Sequence, residues 1–153
     1  MSTRKNVVAA AALAFSATLL TVPSVQTADA ATPAVRFNKA YYDSPGSDSG
    51  TNTSVNREWV RIKNYSSVKH YLTGWTVRDK QSHVYTFGKF ALVPGASVTL
   101  YTGKGANSAT KRYWGLDYYV WNNSGDTAYL KGPSGTTVDS CSWASVGVGY
   151  KTC

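Results

Sequence analysis

Residues 58–64 read EWVRIKN, and their alternation decides how the rest of the chain is read. In an extended strand successive side chains point to opposite faces. Val60 and Ile62 therefore share one side, while Trp59, Arg61 and Lys63 share the other. This is the pattern of an antiparallel strand with one face on a core and one toward solvent. Working outward, no stretch after residue 31 repeats apolar residues at the helical spacings of three and four. Short alternating runs recur instead, separated by Gly, Pro, Ser and Asn. They predict strands near residues 34–42, 57–64, 70–78, 83–87, 96–102, 118–121, 126–131 and 136–142. By the same parity Trp75 points inward with Val77, Tyr85 aligns with Phe87, and Val98 aligns with Leu100. The segment DTAYLKGPSGTTVDS, from Asp126, reads as a hairpin around a Gly-Pro-Ser-Gly turn. Regularly spaced short strands with turn signals between them predict an all-β antiparallel sandwich or barrel.

The N-terminus reads differently. Arg4 and Lys5 precede the uncharged run VVAAAALAFSATLLTV, and Ala28-Asp29-Ala30 supplies a small-x-small pattern. These are the parts of a secretory signal peptide, with cleavage expected between Ala30 and Ala31. The run falls short of the roughly 20 apolar residues that cross a bilayer, and no later segment is apolar enough to span one. The expected organisation is a signal peptide at 1–30, one β domain at 31–142 and a C-terminal tail at 143–153. Of 153 residues with a net charge of +8, removal of Arg4, Lys5 and Asp29 leaves a mature charge of +7. About 123 residues suffice for one core and are too few for two ordinary domains. The expected localisation is extracellular.

Export governs the two cysteines, Cys141 and Cys153. Two thiolates without a nearby histidine make a poor zinc site, which normally takes four ligands. Outside a reducing cytosol the pair reads as one structural disulfide tying the tail to the last strand.

The blocks EWVRIKN, LTGWTVRD, YTF, LVPGASVTLYTG, YWG, VWNNSGDTAYL and GTTVDS, in this order, resemble the lamin tail domain, in the branch exported by bacteria. The likeness spans roughly residues 35–142. It implies an immunoglobulin-like β-sandwich of about nine strands, acting as an accessory binding or scaffolding module. Two features depart from that pattern: the cysteine-bearing tail, and residues 43–56 (DSPGSDSGTNTSVN), which read as a long polar loop without an apolar anchor.

Catalytic chemistry finds little support. His70 and His83 lie in expected strands, and no nucleophile elbow, Walker loop, dinucleotide fingerprint or zinc-ligand cluster occurs. No cofactor is expected. The oxygen-rich loop offers a weak calcium candidate in Asp43, Asp48 and Glu58, with Asn52 and Asn56 beside them, although its spacing matches no EF-hand. Surface character remains. Eleven tyrosines and five tryptophans are interleaved with Lys and Arg. Trp59, Arg61 and Lys63 form the first candidate binding face; Lys111, Arg112 and Trp114, in an expected loop, form the second. The expected function is a secreted, non-enzymatic module that binds a macromolecule. The alternatives are a protein that binds a polyanion such as extracellular DNA or an anionic cell-wall polymer, and a hydrolase with an unrecognised site.

Overall fold

The computed structural model describes residues 31–43, 46–144 and 148–153; the leader and Ala30, on one side of the expected cleavage point, lie outside them. Within this span the strands are β1 (Val35–Tyr41), β2 (Trp59–Asn64), β3 (His70–Tyr71), β4 (Thr76–Arg78), β5 (Val84–Thr86) and β6 (Ala91–Leu92). They continue with β7 (Ser97–Tyr101), β8 (Lys111–Tyr113), β9 (Gly125–Lys131), β10 (Thr137–Ala144) and β11 (Tyr150–Thr152). A single helical turn, α1 (Asn52–Val55), precedes β2.

Two sheets enclose the core. One has the order β11-β1-β2-β7-β8 and the other β10-β9-β4-β5, while β3 and β6 pair separately. Val60, Ile62, Val98 and Leu100 of the first sheet and Val77, Ala128 and Leu130 of the second are buried between them. This is the immunoglobulin-like sandwich that parity requires: each strand turns one apolar row inward. A register shift between Phe37 and Lys39 bulges β1. The Phe37 amide there donates to the Asp139 carboxylate on β10, 2.7 Å away, which joins the two sheets by a side chain.

Several sequence expectations need correction. Residues 118–121 are not a strand: the Val120 and Trp121 amides donate to the Glu58 carboxylate, at 3.0 and 3.5 Å, rather than to a neighbouring strand. The expected strand 70–78 is two, β3 and β4. Gly74, at φ +80°, turns the chain between them and its amide donates to the Phe87 carbonyl. Trp75 consequently sits ahead of β4, half-buried, and packs on the core from its margin while Val77 is fully enclosed. The largest interior rings are instead Trp121 and Trp143. They meet edge to face at 5.8 Å, an arrangement that suits the ring quadrupole. Tyr42 stacks on Trp143 at 4.8 Å.

The loop 43–56 is also anchored. Thr51 caps α1 by accepting from the Ser54 amide, and Val55 is wholly buried. The Asn52 and Asn56 side chains donate to the Lys104 carbonyl, and Lys104 N–H returns a bond to Asn52 Oδ1. Gly103 permits this clamp: a Cβ there would lie 2.6 Å from Asn52 Oδ1 and 2.7 Å from Asn56 Oδ1. The segment after Cys141 is likewise structural. β10 runs on to Ala144, and β11 adds an edge to the first sheet beside β1. The Cys141–Cys153 disulfide then links β10 of one sheet to the end of β11 in the other.

Candidate functional site

Cross-strand register assembles the outer face of the five-stranded sheet. Tyr150 opposes Tyr41, Tyr41 opposes Trp59, Trp59 opposes Tyr101, and Tyr101 runs beside Tyr113. Residues opposite one another share a face, so five aromatic rings form one row across all five strands. Tyr41 is stacked on both sides, 5.7 Å from Tyr150 and 5.4 Å from Trp59, and Tyr101 stacks on Tyr113 at 5.2 Å. Rings that face one another across strands stand upright on the sheet and present edges and hydroxyls to solvent.

Two residues along each strand the register repeats with cations. Lys39 opposes Arg61, Arg61 opposes Thr99, and Thr99 runs beside Lys111. Arg36 and Lys63 make a further opposed pair. Four of these cations lie against rings, Lys39 and Arg61 on rings of the row and Arg36 and Lys63 on Tyr65. The Lys39 ammonium is 3.8 Å from the Tyr150 ring centre, the Arg61 guanidinium 4.7 Å from that of Trp59, and the Arg36 guanidinium 3.6 Å from that of Tyr65. Such contacts orient a cation without neutralising it. Among the described residues the carboxylate contacts with basic side chains are the Asp79–His83 hydrogen bond and Lys104–Asp117, and none of the five cations takes part in either. The five cations therefore project an uncompensated positive field.

The first candidate trio, Trp59, Arg61 and Lys63, lies together on this face. The second trio does not stay together. Lys111, Arg112 and Tyr113 form β8, a strand parallel to β7, so alternation separates them. Lys111 joins the outer cations. Arg112 turns inward, 4.0 Å from the Phe90 ring centre, and Trp114 packs against Trp121 and Tyr85. Sequence reasoning missed Tyr41, Tyr101, Tyr113 and Tyr150 as members of the row. Parity places Tyr41 and Tyr101 there once β1 and β7 are recognised, since Ala40 and Leu100 are the inward neighbours; Tyr150 requires the pairing of β11.

Asp43, Asp48 and Glu58 do not form a group of metal ligands among the described residues, although burial and then the Asp48 charge raise the Glu58 carboxyl. Asp43 Oδ1 accepts from Asn123, and the Asn52 and Asn56 amides hold Lys104. Glu58 is buried, and that burial pushes its carboxyl up to about 8 against the opposing pull of the Val120 and Trp121 amides. Among the described residues no three acidic, histidine or cysteine side chains converge as metal ligands would. Asp79 is fully buried and accepts from the His83 amide and Nδ1, at 2.8 and 2.6 Å, closing the β4–β5 connection. His70 pairs with the Ser66 hydroxyl.

This immunoglobulin-like sandwich carries rings and cations on one sheet face, the features of a binding or scaffolding module. The chain matches the lamin tail domain over residues 28–145 and belongs to that family. No curated protein matches it. No helix among the described residues is long and apolar enough to cross a membrane.

Proposed function

We propose that this is an exported, non-enzymatic module that holds an anionic polymer against the outer face of its five-stranded sheet. The observation that carries the reading is the set of five cations, Arg36, Lys39, Arg61, Lys63 and Lys111, none ion-paired with a described carboxylate. Arranged along the sheet rather than at one point, they match the repeating charge of a polymer better than a single small anion. The upright rings add a second constraint. Tyr41 has a ring on each side, so a base or sugar has no free ring face to lie on there. Recognition thus rests on backbone charge and tyrosine hydroxyls rather than on base stacking, which makes it insensitive to nucleotide sequence. The N-terminal leader and the disulfide support the exported setting.

The test is binding of the purified protein to duplex DNA, to a polyol-phosphate cell-wall polymer and to a neutral glycan, each at two salt concentrations. Affinity for one or both anionic polymers should fall steeply with salt. On duplex DNA the slope should flatten by nearly one log unit per log unit for each phosphate that is no longer neutralised. Changing Arg61 and Lys63 together to Ala should therefore flatten it without loss of thermal stability. Salt-independent binding to the neutral glycan, abolished by Trp59→Ala, would replace the reading; no binding to either polyanion would end it.

A further inference from the structure

The second sheet carries cations of its own. Val77, Ala128 and Leu130 are fully buried, so their strand neighbours Arg78, Tyr129 and Lys131 point away from the core, on the side of the sandwich opposite the ring row. Register groups them: Arg78 opposes Tyr129, and Lys131 is opposed by Thr76 on one side and Thr137 on the other. With Lys80 they line a hollow of about 270 Å³, together with Thr137 and Asp79. Its positive charge is cancelled only in part, by the Asp79 carboxylate in the lining and by Asp126, which accepts from the Lys80 amide. The Arg78 guanidinium donates to the Ser82 hydroxyl at 2.7 Å and the Lys131 ammonium to the Gly135 carbonyl at 3.4 Å; both acceptors are neutral. Asp79 is the one acid in the lining. It is fully buried, and its two oxygens accept from His83. What faces solvent is three cations with the Tyr129 phenol and the Thr137 hydroxyl between them.

We propose that this hollow is a second anion site, taking a phosphate group of the same polymer, and that the protein joins two polymer strands, one on each sheet. The chemistry fits a multi-oxygen anion. Guanidinium and ammonium donors supply charge-assisted bonds from several directions, and the two hydroxyls can donate to the remaining oxygens. The geometry forces the second half of the inference. Stacked sheets lie about 10 Å apart with side chains standing outward from each, so a straight duplex held on one face cannot also fill the other. For a stiff polymer such as a duplex, a second strand has to occupy it, and a monomer becomes a cross-link.

This inference rests on the polymer-binding reading, and the experiment separates their failures. Duplex DNA, or the polyol-phosphate polymer if that is the one bound, is fixed to beads. The full protein is added, and capture of a second, fluorescent copy of the polymer is read. Wild type should capture the second copy. Arg78→Ala with Lys131→Ala should still bind the first copy with undiminished thermal stability, yet capture at least tenfold less of the second. Arg61→Ala with Lys63→Ala should lose capture as well, through the opposite face. Salt-dependent binding of wild type without capture would overturn the cross-link and leave the front-face reading intact. Undiminished capture by the Arg78/Lys131 variant would also overturn it, since bridging would then come from pairing of front faces between copies. Absence of any binding would overturn both.

Discussion

Aromatic rings occupy two regions of this molecule, and they do different work in each. Inside, Trp121 and Trp143 are almost fully enclosed, meet edge to face, and the Trp143 indole N–H donates to the Asn122 carbonyl at 2.9 Å. Outside, Tyr150, Tyr41, Trp59, Tyr101 and Tyr113 cross the sheet half-exposed, with cations rather than carbonyls beside them. Removal from water is what makes a ring stabilising, in proportion to the area hidden. A ring left at the surface adds only its contacts with neighbours, but it stays available to a ligand. Stability and binding are thus drawn from separate sets of the same residue type, so the two can be perturbed independently.

The largest test of that separation is Trp143→Ala. Truncating an enclosed aromatic costs about 3–5 kcal/mol, so chemical denaturation should find most of the stability of a small domain gone. A loss below about 1 kcal/mol would mean that the interior rings are not the structural set. Next comes the disulfide. Cys141 and Cys153 are 12 residues apart, and closing such a loop contributes about 3 kcal/mol by the chain-entropy relation. Cys153→Ser should lower the denaturation midpoint accordingly. It should also weaken polymer binding, because Tyr150 belongs to the strand that the bridge secures.

Glu58 sharpens the comparison through pH. Its folded carboxyl titrates near 8 against an ordinary 4.5. Below 4.5 the group is protonated whether the chain is folded or not, and its contribution is fully present. Between 4.5 and 8 only the folded chain keeps the proton, so stability falls as pH rises, by at most about 1.4 kcal/mol per pH unit. Glu58→Gln should flatten the dependence in that window, as read by urea midpoints at pH 5 and pH 8. A wild-type profile already flat there would show that the buried carboxyl stays ionised. The smallest expected effect is Trp59→Ala, under about 1 kcal/mol on stability, the scale of a cross-strand contact. A loss as large as that at Trp143 would collapse the distinction between the two regions.

Much of the fold was legible because parity is local. EWVRIKN, SVTLY and the 126–140 hairpin each carry their inward and outward rows within a few residues, and the structure places Val60, Ile62, Val98, Leu100 and Leu130 in the core accordingly. What escaped was decided by partners distant in sequence. Residues 118–121, Tyr-Tyr-Val-Trp, are a short apolar run that reads as a buried strand, but the Val120 and Trp121 amides are taken by Glu58, some 60 residues earlier. KRY at 111–113 looks like a loop because a three-residue strand at a sheet edge needs little apolar character. Its parallel pairing with β7 is what sorts Lys111 outward and Arg112 inward. Val55 is a single apolar residue in a polar run, too sparse for periodicity to register, and it nevertheless anchors the loop. Of the candidate site, Trp59, Arg61 and Lys63 lie on one strand and could be read directly. The remaining rings come from four other strands and emerge only when register lines them up.

The bulged strand β1 borders β2 on one side and the three-residue β11 on the other. Remove β11, and Lys39–Tyr41 would offer unpaired amides and carbonyls along a free margin, a template on which another chain can build. The bridge at Cys153 therefore acts as a seal as well as a brace. A reduced chain can bare the β1 margin to its own copies, whereas an oxidised one keeps that margin covered by β11. Light scattering of the reduced and oxidised protein at equal concentration should reveal growth in the first alone. On this view a strand synthesised early waits, half-guarded, for a partner made more than a hundred residues later, and its protection is complete only once the thiols meet an oxidising environment.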